Sequence, residues 1–121
     1  LLKKLKKIKS EDLKNEITSN IVVVDFMATR CVPCQAMYPV VKELADQNNV
    51  KFIKLDADEH EAIFDHYEVY GVPHIKVFVD GIEKTSSTGP KQREDLEDMI
   101  TSCLNCEETV QESRVAVADY F

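Results

Sequence analysis

Long apolar runs are missing from these 121 residues. The longest, Ile21-Val22-Val23-Val24, ends at Asp25. That is far short of the roughly 18 residues a membrane-spanning helix needs, so no membrane span is expected and the run reads as a buried strand. A basic excess is missing too: 15 Lys and Arg stand against 22 Asp and Glu, for a net charge of −7. A free-standing nucleic-acid binder usually carries the opposite balance, so no nucleic-acid partner is expected. The chain has no tryptophan, no internal repeat and no low-complexity tract. Its four cysteines are too few for a disulfide-dense secreted scaffold. The opening Leu1-Leu2-Lys3-Lys4-Leu5-Lys6-Lys7-Ile8-Lys9 lacks the apolar core of a secretory signal. The first residue is not Met, which fits a processed or truncated product. A cytoplasmic setting is expected, with an organellar one left open.

What is present suits one domain. A hydrophobic fraction of 44% supports a buried core. Lys4 to Ile8 alternates loosely, as a short edge strand would. Ser10 offers an N-cap to a helix running to about Thr18, with Glu11 and Asp12 in its first turn. Ile21 to Met27 is β-branched and apolar on both faces, the pattern of a central strand covered on both sides. A helix follows from about Cys34 to Asn48, with Met37, Val40, Val41, Leu44 and Ala45 at helical spacing. Lys51 to Asp56 reads as a strand and Glu59 to Tyr67 as a short helix. His74 to Val79 and Ile82 to Thr88 flank Asp80-Gly81, a two-residue hairpin signal. Lys91 to Leu104 is a last amphipathic helix, with Cys103 on its apolar side. Residues 105–121 form an acidic extension beyond a domain spanning 1–104. Strands alternating with helices imply parallel pairing first, and the terminal hairpin must be antiparallel. An α/β fold follows, with a mixed sheet of about five strands flanked by about four helices.

The cysteines form two C-x-x-C pairs, Cys31/Cys34 and Cys103/Cys106. This spacing points to redox chemistry or to metal binding. Cys31 lies just before a helix, where unpaired N–H groups and the helix dipole favour an anion and lower a thiol pKa. A pKa near neutrality would leave about half of the thiol ionised. Cys34 lies one turn on, within reach of a disulfide, and Pro33 sits where its missing N–H matters little. Arg30 adjoins Cys31 and would favour the thiolate if it stays near the sulfur. A four-cysteine zinc site would bring together pairs some 70 residues apart, whereas zinc modules usually space them by roughly 15–20.

The stretch Val22-Val23-Val24-Asp25-Phe26-Met27-Ala28-Thr29-Arg30-Cys31-Val32-Pro33-Cys34 resembles the active-site strand and motif of the thioredoxin family. Pro39, Lys54-Leu55-Asp56, Gly71-Val72-Pro73, Asp80-Gly81 and Gly89 match further family features in order, over about Lys4 to Leu104. The resemblance implies a thioredoxin fold and a protein-disulfide oxidoreductase that contributes to cell redox homeostasis. It implies Cys31 as the nucleophile, Cys34 as the resolving thiol, and Asp25 as a buried carboxyl of raised pKa that exchanges a proton with Cys34. Lys54 is its implied neighbour. Pro73 is expected to be cis against the disulfide, and Val72 to offer its backbone to an extended substrate. Arg30, Val32, Pro33 and His74 complete the implied substrate-facing rim. Arg30, Val32 and His74 stand where the family usually has Trp, Gly and Thr, and His74 could bring a titrating charge near the sulfurs. No bound cofactor or metal is implied, since a redox-active disulfide carries the electrons. The implied partners are disulfide-containing proteins and an NADPH-dependent thioredoxin reductase, with the chain a monomer. A specialised oxidoreductase serving one partner and a thioredoxin-fold binding subunit are the alternatives.

Overall fold

The computed structural model describes Leu13, Ile17 and residues 20–104. The sequence-predicted edge strand Lys4–Ile8 and the acidic extension 105–121 lie outside the described residues. So does the Ser10–Thr18 helix, apart from Leu13 and Ile17, which are helical and fully buried.

The described elements follow the order β1 (Ile21–Met27), α1 (Val32–Gln47), β2 (Lys51–Asp56), α2 (Glu61–His66), β3 (His74–Val79), β4 (Ile82–Thr88) and α3 (Arg93–Leu104). Four strands make one mixed sheet in the order β2-β1-β3-β4. β1 runs parallel to β2 in the register Val23↔Phe52 and Asp25↔Lys54. It runs antiparallel to β3, with Val24↔Lys76 and Phe26↔His74. The parallel pair needs a crossover, which α1 supplies.

Strand alternation sorts β1 into two cores. Val23 faces one layer, with Met37, Val41 and Leu44 of α1 and Leu96, Ile100 and Cys103 of α3. Val22, Val24 and Phe26 face the other, with Ile63 and Phe64 of α2 and with Leu13 and Ile17. β1 is therefore apolar on both sides because both sides are covered. Asp25, only 1% exposed, is the exception on the α1 side.

The hairpin closes as the sequence predicts. Val79 pairs with Ile82 across Asp80 and Gly81, whose φ values of 51° and 86° suit a turn left-handed at both central positions. Asp80 N–H donates to Asn20 O at 2.9 Å, and Asn20 N–H to Asp80 Oδ1 at 3.1 Å, tying the turn to the start of β1. β4 is the outer strand among those described, and its polar run Glu83-Lys84-Thr85-Ser86-Ser87-Thr88 suits an edge.

Candidate active site

β1 ends at Met27, and after four intervening residues the chain enters α1 at Val32. Cys31 is the N-cap of that helix, with φ −83° and ψ 109°. Its Sγ accepts the Cys34 N–H at 3.2 Å. An N-cap side chain takes up a helix-start donor that would otherwise be orphaned. Here sulfur fills the place usually taken by oxygen. Cys31 and Cys34 are joined as a disulfide with their Cα atoms 5.2 Å apart. Cys31 is half-exposed, whereas Cys34 is fully buried. Val32 and Pro33 open the helix and are exposed. The helix thus begins at Val32, two residues earlier than the sequence predicts, because Pro is compatible with a first turn.

Asp25 lies two residues before the end of β1. Burial pushes its carboxyl up from 3.8 to about 7, against the opposing field of Lys54. Neither carboxyl oxygen has a hydrogen-bond partner among the described residues, so no hydrogen bond offsets the desolvation of its charged form and only the field of Lys54 opposes it. Lys54 is its register partner on β2. The ammonium of Lys54 stands 4.3 Å from the Tyr38 ring centroid, a cation–π arrangement that keeps it near the carboxyl without a direct hydrogen bond.

The Val72–Pro73 peptide is cis, as expected, and Pro73 is buried. Pro73 O accepts the Gly89 N–H at 2.8 Å. Val72 lies two residues beyond the last β1–β3 pair, Phe26↔His74, and therefore off the ladder.

Two predicted rim residues have partners of their own. The Arg30 guanidinium makes an ion pair with Asp58 at 3.6 Å, and both groups are largely exposed. His74 does not bring a titrating charge to the sulfurs. Alternation along β3 puts its ring on the α2 side, edge-on to Phe26 at 5.9 Å between centroids, while α1 packs on the opposite face. Its Nδ1 shares a 2.7 Å hydrogen bond with Thr88 Oγ1. Burial and the nearby Lys76 lower its pKa to about 4, so the ring is neutral at pH 7.

One set of contacts escaped the sequence reading. The Thr29 hydroxyl donates to Asp56 Oδ2, Asp56 Oδ1 accepts the Asp58 N–H at 2.8 Å, and Gln35 Nε2 donates to Thr29 O at 3.2 Å. The carboxylate ending β2 thereby braces the loop that presents Cys31. An Asp-x-Asp at a strand end is the available signal, since Asp bonds its own backbone two residues on. Beside this brace lies a cleft of about 230 Å³ lined by Met27, Thr29, Gln35, Lys54, Asp56 and Glu59. A larger cleft of about 380 Å³ borders Asn20, Asn49 and Asp80 at the other end of the sheet, away from the disulfide.

A helix start that holds one sulfur of a disulfide partly exposed and the other inside suits thiol–disulfide exchange, the chemistry of a dithiol–disulfide oxidoreductase on an α/β sheet. Comparison with known proteins agrees. The Thioredoxin family model matches residues 4–102. The chain is 35% identical over 100 residues to a thioredoxin of Staphylococcus epidermidis, covering 81% of this chain and 96% of that one. Among solved structures, a thioredoxin variant from Halobacterium salinarum superposes with a TM-score of 0.72 at 34% identity, covering 80% of this chain and 86% of that one. Fasciola hepatica thioredoxin gives 0.68 at 34% identity, over 76% and 88%. The chain belongs to the thioredoxin family. It is a thiol–disulfide oxidoreductase whose redox group is its own C-x-x-C disulfide. As in that family generally, its substrates contain disulfides. No helix among the described residues is long and apolar enough to cross a membrane.

Proposed function

We propose that the chain reduces protein disulfides through Cys31-Val32-Pro33-Cys34. In the dithiol form, the Cys31 thiolate attacks one sulfur of a substrate disulfide. A Cys31–substrate bond forms, the substrate S–S bond breaks, and its second sulfur leaves as a thiolate that takes a proton. Cys34 then loses its proton to Asp25 and attacks Cys31 Sγ. The mixed disulfide breaks and the substrate's remaining sulfur leaves. Two electrons have passed to the substrate, and Cys31–Cys34 is again the disulfide.

The observation that carries this reading is the N-cap sulfur: Cys31 Sγ already accepts the Cys34 N–H at 3.2 Å. The same donor is in place to stabilise a thiolate. Asp25 supports the second half, because a carboxyl near pKa 7 accepts and returns a proton at neutral pH. Lys54 moderates that pKa. Arg30, Val32, Pro33, Val72 and Pro73 face the substrate, with Val72 receiving an extended segment in the manner of an added strand.

An NADPH-dependent thioredoxin reductase returns the disulfide to the dithiol. The working unit is a monomeric, cytoplasmic domain of residues 1–104, with 105–121 and the Cys103/Cys106 pair as an extension. The test is catalysis of insulin disulfide reduction by dithiothreitol. Acceleration that Cys31→Ser abolishes supports a general protein-disulfide reductase; a folded protein with both thiols free and no acceleration overturns it. A second reading, an oxidoreductase dedicated to one partner, is favoured by Val32, a bulky residue 77% exposed directly after Cys31.

A further inference from the structure

Parallel pairing with β1 brings the C-terminal end of β2 to the same edge of the sheet as the loop before Cys31. Antiparallel pairing brings the start of β3 to that edge as well. The order β2-β1-β3 therefore raises two unlike walls on either side of the disulfide loop. On the β2 wall three carboxylates outnumber two cations: Asp56 and Glu59 line the cleft together with Lys54, and Asp58 beside them is exposed and pairs with the exposed Arg30 at 3.6 Å. The β3 wall presents one large apolar side chain. Tyr70, two residues before Val72, is 80% exposed. Val32 stands between the walls at 77% exposure. Among the described residues, Tyr70 and Val32 are the exposed large hydrophobic side chains, and both sit at this one edge of an otherwise strongly charged chain. Isolated exposed apolar residues are ordinary, but two together beside a reactive group mark a contact surface. A tyrosine in particular offers a large rigid area at little entropic cost.

We propose that Tyr70 is a specificity-determining residue. With Val32 it selects protein segments bearing an aromatic or aliphatic side chain on one flank of the disulfide cysteine. Asp58 and Glu59 select Lys or Arg on the other flank. The inference rests on the disulfide-exchange reading above and names its substrate class. The apolar contact stabilises the mixed-disulfide encounter by removing the ring from water, and the charged contact steers approach. Neither touches the sulfurs, so both act on substrate choice rather than on the exchange step.

The test uses the reduced full chain and a set of eight synthetic peptides of equal length, each carrying one cysteine in a mixed disulfide with thionitrobenzoate. They bear Phe or Ser on one flank and Lys or Glu on the other, in both orders, and release of the coloured thiolate reports the rate. Bis(2-hydroxyethyl) disulfide, followed by loss of protein thiol, is the substrate without flanks. Tyr70→Ser is expected to lower kcat/KM for the Phe peptides about tenfold, and for the Ser peptides and the flankless disulfide by less than twofold. Equal loss on Phe and Ser peptides, or no loss on either, overturns the apolar half. The double variant Asp58→Asn, Glu59→Gln is expected to erase a preference for Lys over Glu that 0.5 M salt also erases, since screening at such salt is within roughly 3–10 Å. A wild-type chain with no Lys preference at low salt overturns the charged half. Failure of the wild type on every substrate, flankless disulfide included, overturns the exchange reading itself and so is told apart from both.

Discussion

At the scale of single residues the three groups to which the proposed exchange assigns separate tasks differ in burial. Cys31 is half-exposed at a helix start, Cys34 is fully buried one turn on, and Asp25 is 1% exposed on the strand behind. Cys34→Ser is therefore expected to stop the reaction halfway and accumulate mixed disulfides with substrates. Non-reducing gels and intact mass measure them, and their absence counts against a resolving role. Asp25→Asn removes the proposed proton acceptor while keeping the shape. Release of the mixed disulfide is expected to slow by roughly 100-fold near pH 7, the usual range of a lost general base, with attack by Cys31 changed far less. Single-turnover rates separate the two steps, and an unaltered release rate at pH 7 shows that the relay is not needed. His74 teaches a different lesson. It opens β3, and alternation along that strand turns its ring to the α2 side, against Phe26.

At the scale of elements, the β3–β4 turn ties down the end of the sheet away from the disulfide, and the braced loop holds the end that presents Cys31. Gly81 adopts φ 86° in the β3–β4 turn, a region that disfavours any residue with a Cβ. Gly81→Ala is expected to destabilise the fold by about 1 kcal/mol, read as a lower urea midpoint with an unaltered slope. An unchanged midpoint would mean that the turn relaxes to a different type. The brace from β2 works on the site instead. Asp56→Ala frees the Thr29 hydroxyl and the Asp58 N–H that it now accepts. Losing such hydrogen bonds in partial solvent is expected to lower stability by about 1 kcal/mol and to speed hydrogen exchange at residues 29–31 more than in β1. Hydrogen-exchange mass spectrometry checks this; uniform acceleration across both segments would show that Asp56 serves the fold alone.

At the scale of the whole molecule, two buried groups pull stability in opposite directions with pH. Asp25 has its folded pKa raised to about 7 from 3.8. Between those values the folded state holds a proton that the unfolded chain lacks, so stability falls as pH rises, by about 4 kcal/mol in all. His74 has its folded pKa lowered to about 4 from 6.5. There the unfolded chain holds the extra proton, so stability falls as pH drops, by up to about 3 kcal/mol. Between about pH 4 and 6.5 the two slopes nearly cancel. Each single variant should expose the other's slope. With Asp25→Asn, stability is expected to rise with pH across that window; with His74→Gln, to fall. Urea unfolding of the oxidised protein at several pH values measures both, and parallel profiles for the two variants would refute the assignment.

Local chemistry determined much of this protein. The boundaries of β1, β2, β3 and β4, the left-handed Asp80-Gly81 turn, the placing of Cys31 at a helix start and the burial of Asp25 were legible because each depends on residues within one turn or one strand of itself. Side-chain period 2, the φ freedom of glycine and the orphan N–H groups of a helix start are properties of short segments. Tertiary structure alone decided the remainder. The strand order β2-β1-β3-β4 chose the acidic and apolar neighbours of the disulfide loop. The pairing of Asp25 with Lys54, the reach of Asp56 to Thr29 and the turn of Arg30 toward Asp58 all join residues some 27 to 29 positions apart. Such contacts carry no local signal, because they form only when the sheet closes and the chain's distant segments are brought to one edge.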